Sequence, residues 1–310
     1  MRVRYDLLLT LVFLVCAPLA LDGQPAAAKR PMTFVDIMEL PQVQDPQLSP
    51  DGKAVLFVLS KPDWKGNRRV GHIYRINSDG TNQVQLTFGE RGESTPRWSP
   101  DGKTIAFSAR RDSDTNNQVY LLETDGGEAR RLTTHATAPG GMVWSADGKS
   151  IYFTATDAKS ADEREKDRLQ DDVYAFEETN YKQRHLWVSD LTGKTTRLTD
   201  GDHSVTEFDV SNDGKKVAMV RAPSPLLEHG SLGEVWLMDI DGKNARQLTK
   251  NSVMETSVSL SPDNATVVFL AGANDKLEEY YNDKLFLLPA AGGEARALLP
   301  DAAYEVEDVQ

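Results

Sequence analysis

Five Ser-x-Asp-Gly-type corners punctuate this chain, and their spacing constrains its fold more than any other feature. They are Ser49-Pro50-Asp51-Gly52, Ser99-Pro100-Asp101-Gly102, Ser145-Ala146-Asp147-Gly148, Ser211-Asn212-Asp213-Gly214 and Ser261-Pro262-Asp263-Asn264. Successive Asp positions lie 50, 46, 66 and 50 residues apart. Proline presets φ, Asp binds nearby backbone and Gly accepts a left-handed conformation, so each corner reads as a tight turn. Asn264 stands in for Gly in the fifth corner, and Asn tolerates positive φ better than most side chains.

After each Asp, apolar residues fall at offsets of four and six: Val55 and Phe57, Ile105 and Phe107, Ile151 and Phe153, Val217 and Met219, Val267 and Phe269. An offset of two puts both on one face of a strand. A third strand follows in each unit, as in Val119-Tyr120-Leu121-Leu122 or Val235-Trp236-Leu237-Met238. Gly-bearing turns (Asp79-Gly80, Asp125-Gly126-Gly127, Thr192-Gly193, Asp241-Gly242, Gly292-Gly293) then lead to short fourth strands. These end Leu86-Thr87, Leu132-Thr133, Leu198-Thr199, Leu248-Thr249 and Leu298-Leu299.

Four hairpin-linked strands repeated at this period are the unit of a β-propeller, whose blades bury their faces only against one another. The expected fold is therefore all-β, with four-stranded antiparallel blades over about 46–87, 96–133, 142–199, 208–249 and 258–299. Shifting the fifth repeat by its period sets Gln310 where Leu260 stands, so residues 300–310 read as the first strand of a sixth blade and the ring as incomplete. The competing arrangement is a five-bladed ring sealed by a strand over 304–309. Turns between first and second strands, and between third and fourth, share one side of the disc and are short. Connections between second and third strands share the other and vary, reaching their longest over 157–182. Variation loaded onto one face marks where a partner or ligand is read.

Residues 1–28 read as an export signal: Arg2 and Arg4, an apolar stretch from Leu7 to Leu21, and Ala26-Ala27-Ala28 as cleavage site. A membrane anchor competes, but the stretch has about 15 residues where about 20 span a bilayer. Cleavage leaves no membrane span, no thiol (Cys16 is the sole cysteine) and a periplasmic or secreted protein. Residues 29–45 form a linker with a helix over 33–40, capped by Thr33 and stopped by Pro41, expected to pack on the disc edge. With 47 acidic and 35 basic residues the net charge is -12, which argues against a nucleic-acid partner. No cofactor or metal is expected: the calcium-loop-like Asp239-Ile240-Asp241-Gly242 lacks the closing Glu, Lys250 standing there.

The words Trp98-Ser99-Pro100-Asp101-Gly102-Lys103 and Arg131-Leu132-Thr133 resemble the TolB-type propeller repeat. With the opening Thr33-Phe34-Val35-Asp36-Ile37-Met38 and Asp45-Pro46-Gln47-Leu48 before the first corner, residues 33–310 are similar to the N-terminal part of secreted prolyl oligopeptidase family serine peptidases. The nearest branch is acylaminoacyl-peptidase or dipeptidyl-peptidase-like. The resemblance implies a propeller that covers a C-terminal α/β-hydrolase domain and limits access to short peptides. It transfers no catalytic residue, because no Gly-x-Ser-x-Gly elbow occurs here, and this chain alone should hydrolyse nothing. The alternative is a stand-alone periplasmic scaffold propeller of TolB type.

The long insertion reads mainly as a solvated charged excursion, part helical over Asp162-Glu163-Arg164-Glu165-Lys166. Within it, Glu177 and Glu178 are the candidate substrate-binding residues, resembling the paired glutamates that dipeptidyl-peptidase-like relatives set against a substrate's α-ammonium group. Trp98, Trp144, Trp187 and Trp236 are expected to pack between blades, and Trp64 to be exposed.

Overall fold

The computed structural model describes residues 30–111, 113–169, 181–300 and 305–306. The chain divides into two units, Met1–Met38 and Glu39–Gln310. Helix α1 (Phe34–Glu39) has no buried residue, and all but its last residue belongs to the first unit. Thr33 Oγ1 accepts from the Asp36 amide (3.3 Å) and Asp36 Oδ2 from the Thr33 amide (2.7 Å), a reciprocal cap that the sequence announced.

The second unit holds five four-stranded antiparallel sheets, each with its strands in chain order. Blade I is β1 (Gln42–Leu48), β2 (Ala54–Asp63), β3 (Arg68–Asn77) and β4 (Val84–Gln85). Blade II is β5 (Glu93–Trp98), β6 (Thr104–Ala109), β7 (Gln118–Glu123) and β8 (Arg130–Arg131). Blade III is β9 (Gly140–Trp144), β10 (Ser150–Thr156), β11 (Arg184–Asp190) and β12 (Thr195–Arg197). Blade IV is β13 (Ser204–Val210), β14 (Lys216–Ala222), β15 (Glu234–Asp239) and β16 (Arg246–Gln247). Blade V is β17 (Glu255–Leu260), β18 (Thr266–Ala273), β19 (Glu279–Pro289) and β20 (Arg296–Ala297). Most of the strand expected over 300–310 lies outside the described residues.

Each corner is built by the same contacts. In blade II, Ser99 Oγ donates to Asp101 Oδ1 (2.7 Å) and accepts from the Thr104 amide (2.9 Å), while Asp101 also accepts from the Lys103 amide (3.1 Å). The other four Ser-Asp pairs repeat this at 2.6 to 2.8 Å. Asn264 takes φ of 59°, as its position requires. The Asp side chains therefore serve turns, and the Ser hydroxyls hold their carboxyls below the usual range, Asp213 at about 2.

The repeated Leu-Thr has an equally local cause. Thr87, Thr133, Thr199 and Thr249 lie just past the short fourth strands, and each Oγ1 accepts from a third-strand amide at 2.8 to 2.9 Å. The hydroxyl thus satisfies a donor that the two- or three-residue strand cannot reach. Leu299 takes this place in blade V and is 48% exposed.

Side chains alternating along β2, β6, β10 and β14 feed cores between consecutive blades. Leu56 and Val58 pack with Ile105 and Phe107; Ala106 and Leu121 with Trp144 and Phe153; Tyr152 and Leu186 with Val217 and Met219; Val220 and Leu237 with Phe269 and Phe286. Phe107, Phe153, Phe269 and Phe286 are fully buried, each contributing roughly 1.5–3 kcal/mol.

The second-to-third connections depart from expectation in two blades. In blade I the pairing runs unbroken from Ala54↔Asn77 to Asp63↔Arg68, and in blade V β18 and β19 extend likewise, so ribbons replace the longer loops. A tight turn closes the blade I ribbon, with Asp63 Oδ1 accepting from the Gly66 amide (3.1 Å) and Asn67 at φ of 46°. In blade IV the connection forms a 3-10 helix, Leu227–Leu232, which no sequence signal announced. In blade III it forms α2 (Ala161–Leu169), capped by Ser160 and Glu163 (Ser160 amide to Glu163 Oε2, 2.7 Å).

Candidate functional site: channel and loop rim

The first strands of successive blades lie side by side, β1 by β5, β5 by β9, β9 by β13 and β13 by β17, and so line a channel. Every one carries a bulge in its pairing. Asp45, Thr95, Gly141 and Ser257, at φ of 50° to 58°, occupy four of these bulges. A bulge adds a residue and re-aims its neighbours. It also explains why the first strands start at Gln42, Glu93, Gly140, Ser204 and Glu255, a few residues ahead of the blade starts drawn from the corners.

The re-aimed residues bind the next blade. Arg97 Nη1 meets Asp45 Oδ2 at 2.8 Å, Trp98 Nε1 donates to the Gln47 carbonyl and Trp144 Nε1 to the Arg97 carbonyl, both at 3.1 Å. Between blades IV and V, Asp209 Oδ2 accepts from Ser259 Oγ (2.9 Å) and the Leu260 amide (3.0 Å). A cavity of about 420 Å³ draws Arg97, Arg184, Thr206, Glu207 and Ser257 together from four blades. Glu207 accepts from the Ser257 amide, whereas the Arg184 guanidinium forms no ion pair among the described residues. The channel is polar and offers hydrogen-bond donors rather than a reactive pair.

Behind the loop rim, two imidazoles of blades III and IV meet edge to face, His185 and His203, with ring centroids 5.5 Å apart and planes at 80°. Burial, then the charge of Arg221, holds His203 down to about 4; burial and Arg197 lower His185. Among the described residues their Nε2 atoms are buried without a hydrogen-bond partner, His185 Nε2 standing 3.7 Å from Asp157 Oδ2. Sequence reasoning missed this pair, since each residue sits in an ordinary strand or turn and only the stacking of blades joins them. Glu255 was missed likewise. Burial pushes its carboxyl up to about 7, against hydrogen bonds from Thr249 Oγ1 (2.6 Å), Asn251 Nδ2 (2.6 Å) and the Val235 amide (2.8 Å).

Ser224 Oγ and His229 Nδ1 approach to 2.6 Å, a nucleophile-base spacing. Ser224 is 1% exposed and its hydroxyl also accepts from the Leu226 amide, so it fastens a turn. Among the described residues, no group of three His, Cys, Asp or Glu could hold a metal ion. The predicted Glu177 and Glu178 lie outside the described residues. Trp98 and Trp144 pack between blades as expected, and Trp64 is 57% exposed.

Comparison with known proteins adds to this geometry. The family described as the Tricorn protease N-terminal beta propeller domain matches residues 68–171. Dipeptidyl-peptidase 5 of Porphyromonas gingivalis is 41% identical over 70 residues, 23% of this chain and 10% of that protein. The chain carries a β-propeller whose sequence, over the matched residues, is similar to the propellers of such peptidases. The propeller superposes on acylaminoacyl peptidase of Pyrococcus horikoshii with a TM-score of 0.62 at 17% identity, over 87% of this chain and 41% of that one. Its fold is shared with a putative TolB of Agrobacterium tumefaciens (TM-score 0.56, 20% identity, 83% of this chain and 80% of that one). The propeller thus covers less than half of either peptidase's length.

Proposed function

We propose that this propeller is the substrate-filtering part of an exported serine peptidase of short peptides, whose chemistry resides in a C-terminal α/β-hydrolase domain. One observation carries the reading: a fold shared with peptidase propellers keeps one rim uniform and surrounds its polar channel, on the other, with α2, the 3-10 helix and two ribbons. Irregular structure at the mouth of a rigid channel suits selection by size. Glu177 and Glu178 are proposed to meet a substrate's α-ammonium group, and residues 1–28 to be removed on export.

The test uses the polypeptide encoded by the whole reading frame. Removing residues 160–169 should raise kcat/KM for long peptides relative to dipeptide substrates; an unchanged length profile would end the filter reading. Glu177→Ala with Glu178→Ala should lower kcat/KM about tenfold for free-amine dipeptides and spare N-acetylated ones, a charged hydrogen-bonded pair being lost. Intact mass of the exported protein checks removal at residue 28.

A second reading, a stand-alone scaffold that binds other proteins, is favoured by the 80% of the TolB chain that this propeller spans. Labelling of the encoded polypeptide by a fluorophosphonate separates the two, since only the peptidase carries an activated serine.

A further inference from the structure

The chain carries a net charge of -12, yet arginines gather at one place on its loop rim. Between blades I and II a cavity of about 470 Å³ is lined by Arg68, Arg69, Arg91 and Arg110, with the hydroxyls of Ser60 and Ser94. A neighbouring cavity of about 450 Å³ shares Arg91 and Arg110 and adds Arg111. These two arginines therefore stand in the wall between both spaces.

Arg69 is engaged, donating to Ser60 Oγ (3.2 Å) and to the Leu40 (2.8 Å) and Ser60 (2.7 Å) carbonyls, but the charge of the other arginines is poorly compensated among the described residues. Arg68 meets Asp63 at 3.5 Å and donates to the Glu90 carbonyl (2.8 Å). Among the described residues Arg110 donates only to the Asp114 carbonyl (3.1 Å), while Asp114 spends its own carboxylate on Tyr120 Oη and Arg131, both at 2.7 Å. Arg91 is exposed and makes no hydrogen bond or ion pair among the described residues. Arg111 lies over the Tyr120 ring at 4.8 Å with its Nε buried and unpartnered. Among the described residues Glu93 is the single acidic residue lining the larger cavity, and its carboxylate, 1% exposed, accepts from His72 Nδ1 (2.9 Å) and the Gly89 amide (2.8 Å). Glu90 and Glu128 line only the neighbouring space.

Guanidinium groups take carboxylates in paired hydrogen bonds, and a partly enclosed site strengthens the attraction. Gln44 and Ser94, from the channel-lining strands β1 and β5, belong to the wall of the larger cavity, so a chain in the channel reaches it. We infer that this cavity is an anion site that holds a carboxylate of a bound peptide, its C-terminus or an acidic side chain. The choice of a peptide as carrier rests on the filter reading; the anion site rests on the arginines alone.

Isothermal titration of the purified chain tests it at low salt, with acetyl-Ala-Ala-Ala as free acid, the same peptide as C-terminal amide, and inorganic phosphate. The free acid should bind about tenfold tighter than the amide and weaken as salt is raised. Arg91→Ala and Arg110→Gln should each reduce its affinity about fivefold with the melting temperature unchanged, while Arg164→Ala on α2 leaves it alone. Equal binding of acid and amide, or full affinity in Arg91→Ala, would overturn the inference. Phosphate binding without any binding of the free acid would overturn the peptide as carrier. Because no hydrolysis is measured, failure here leaves the filter reading standing, and a binding chain that belongs to no peptidase leaves the site standing.

Discussion

The two rims of the disc solve the same problem, how to turn a strand around, in opposite ways. On the corner rim, five turns repeat one network of a Ser hydroxyl, an Asp carboxylate and two amides. The corners also touch in sequence: a Cβ on Gly102 would stand 3.7 Å from Pro50, one on Gly148 3.6 Å from Pro100, and one on Gly214 3.6 Å from Ala146. On the loop rim, a ribbon, an irregular loop, a helix, a 3-10 helix and a second ribbon share no contact pattern. Stacking demands uniformity where blades meet at fixed spacing, and leaves the opposite rim free to specialise.

The largest expected effect breaks the uniform rim. Gly193, at φ of 91°, turns β11 into β12, and a Cβ there would come 2.5 Å from the Leu132 carbonyl oxygen of the preceding blade. Gly80 makes the same turn in blade I at φ of 85° with nothing within 4 Å. Gly80→Ala should cost about 1–2 kcal/mol for the left-handed backbone alone. Gly193→Ala should cost about 1–3 kcal/mol more for overpacking, read as the difference between the two denaturation midpoints. Equal losses would show that blade spacing does not constrain this turn.

Next in size is the Leu-Thr step. Thr133→Val leaves the buried Val119 amide without its acceptor and should destabilise by about 1–3 kcal/mol. In blade V, Leu299→Thr supplies the missing hydroxyl and should stabilise by about 0.5–1.5 kcal/mol in the same urea titration.

The loop rim is expected to respond to pH instead. Glu255 sits at about 7, above its ordinary 4.5, so the stability it contributes is complete below about 4.5 and is lost as pH rises through 7. His203, held at about 4 and below its ordinary 6.5, and His185, also lowered, act oppositely: their contribution is present above 6.5 and fades as pH falls toward 4. Glu255→Gln should therefore make the melting temperature climb more steeply between pH 4.5 and 6.5, and His203→Phe should flatten or reverse that climb. The smallest effect belongs to α2, where the exposed, solvent-screened pair of Arg168 and Glu165 at 2.6 Å should leave the melting temperature of Arg168→Ala within error of the parent.

Legibility in the sequence follows the same division. The corners, the Leu-Thr words and the caps at Thr33 were readable because their contacts span only a few residues or recur at a fixed offset. The helix in the long insertion was readable for the same reason. The bulges at Asp45 and Thr95 were not, since a β-branched Thr at positive φ contradicts local preference. Nor could sequence show the His185–His203 pair or the arginines around the 470 Å³ cavity, which only the docking of one blade on the next assembles. The ribbon of blade I escaped because Pro62 interrupts the apolar pattern of β2, yet Pro62 and Asp63 both pair with β3.

The contrast between rims is tested most directly by amide hydrogen exchange under native conditions. The amides of Ala54, Thr104, Ser150, Lys216 and Thr266 each donate to a corner Ser hydroxyl at 2.9 to 3.0 Å. All five are expected to be protected to within about tenfold of one another, with loop-rim amides scattered over several orders of magnitude. Corner amides as scattered as those of the loops would contradict a rim built from one repeated contact.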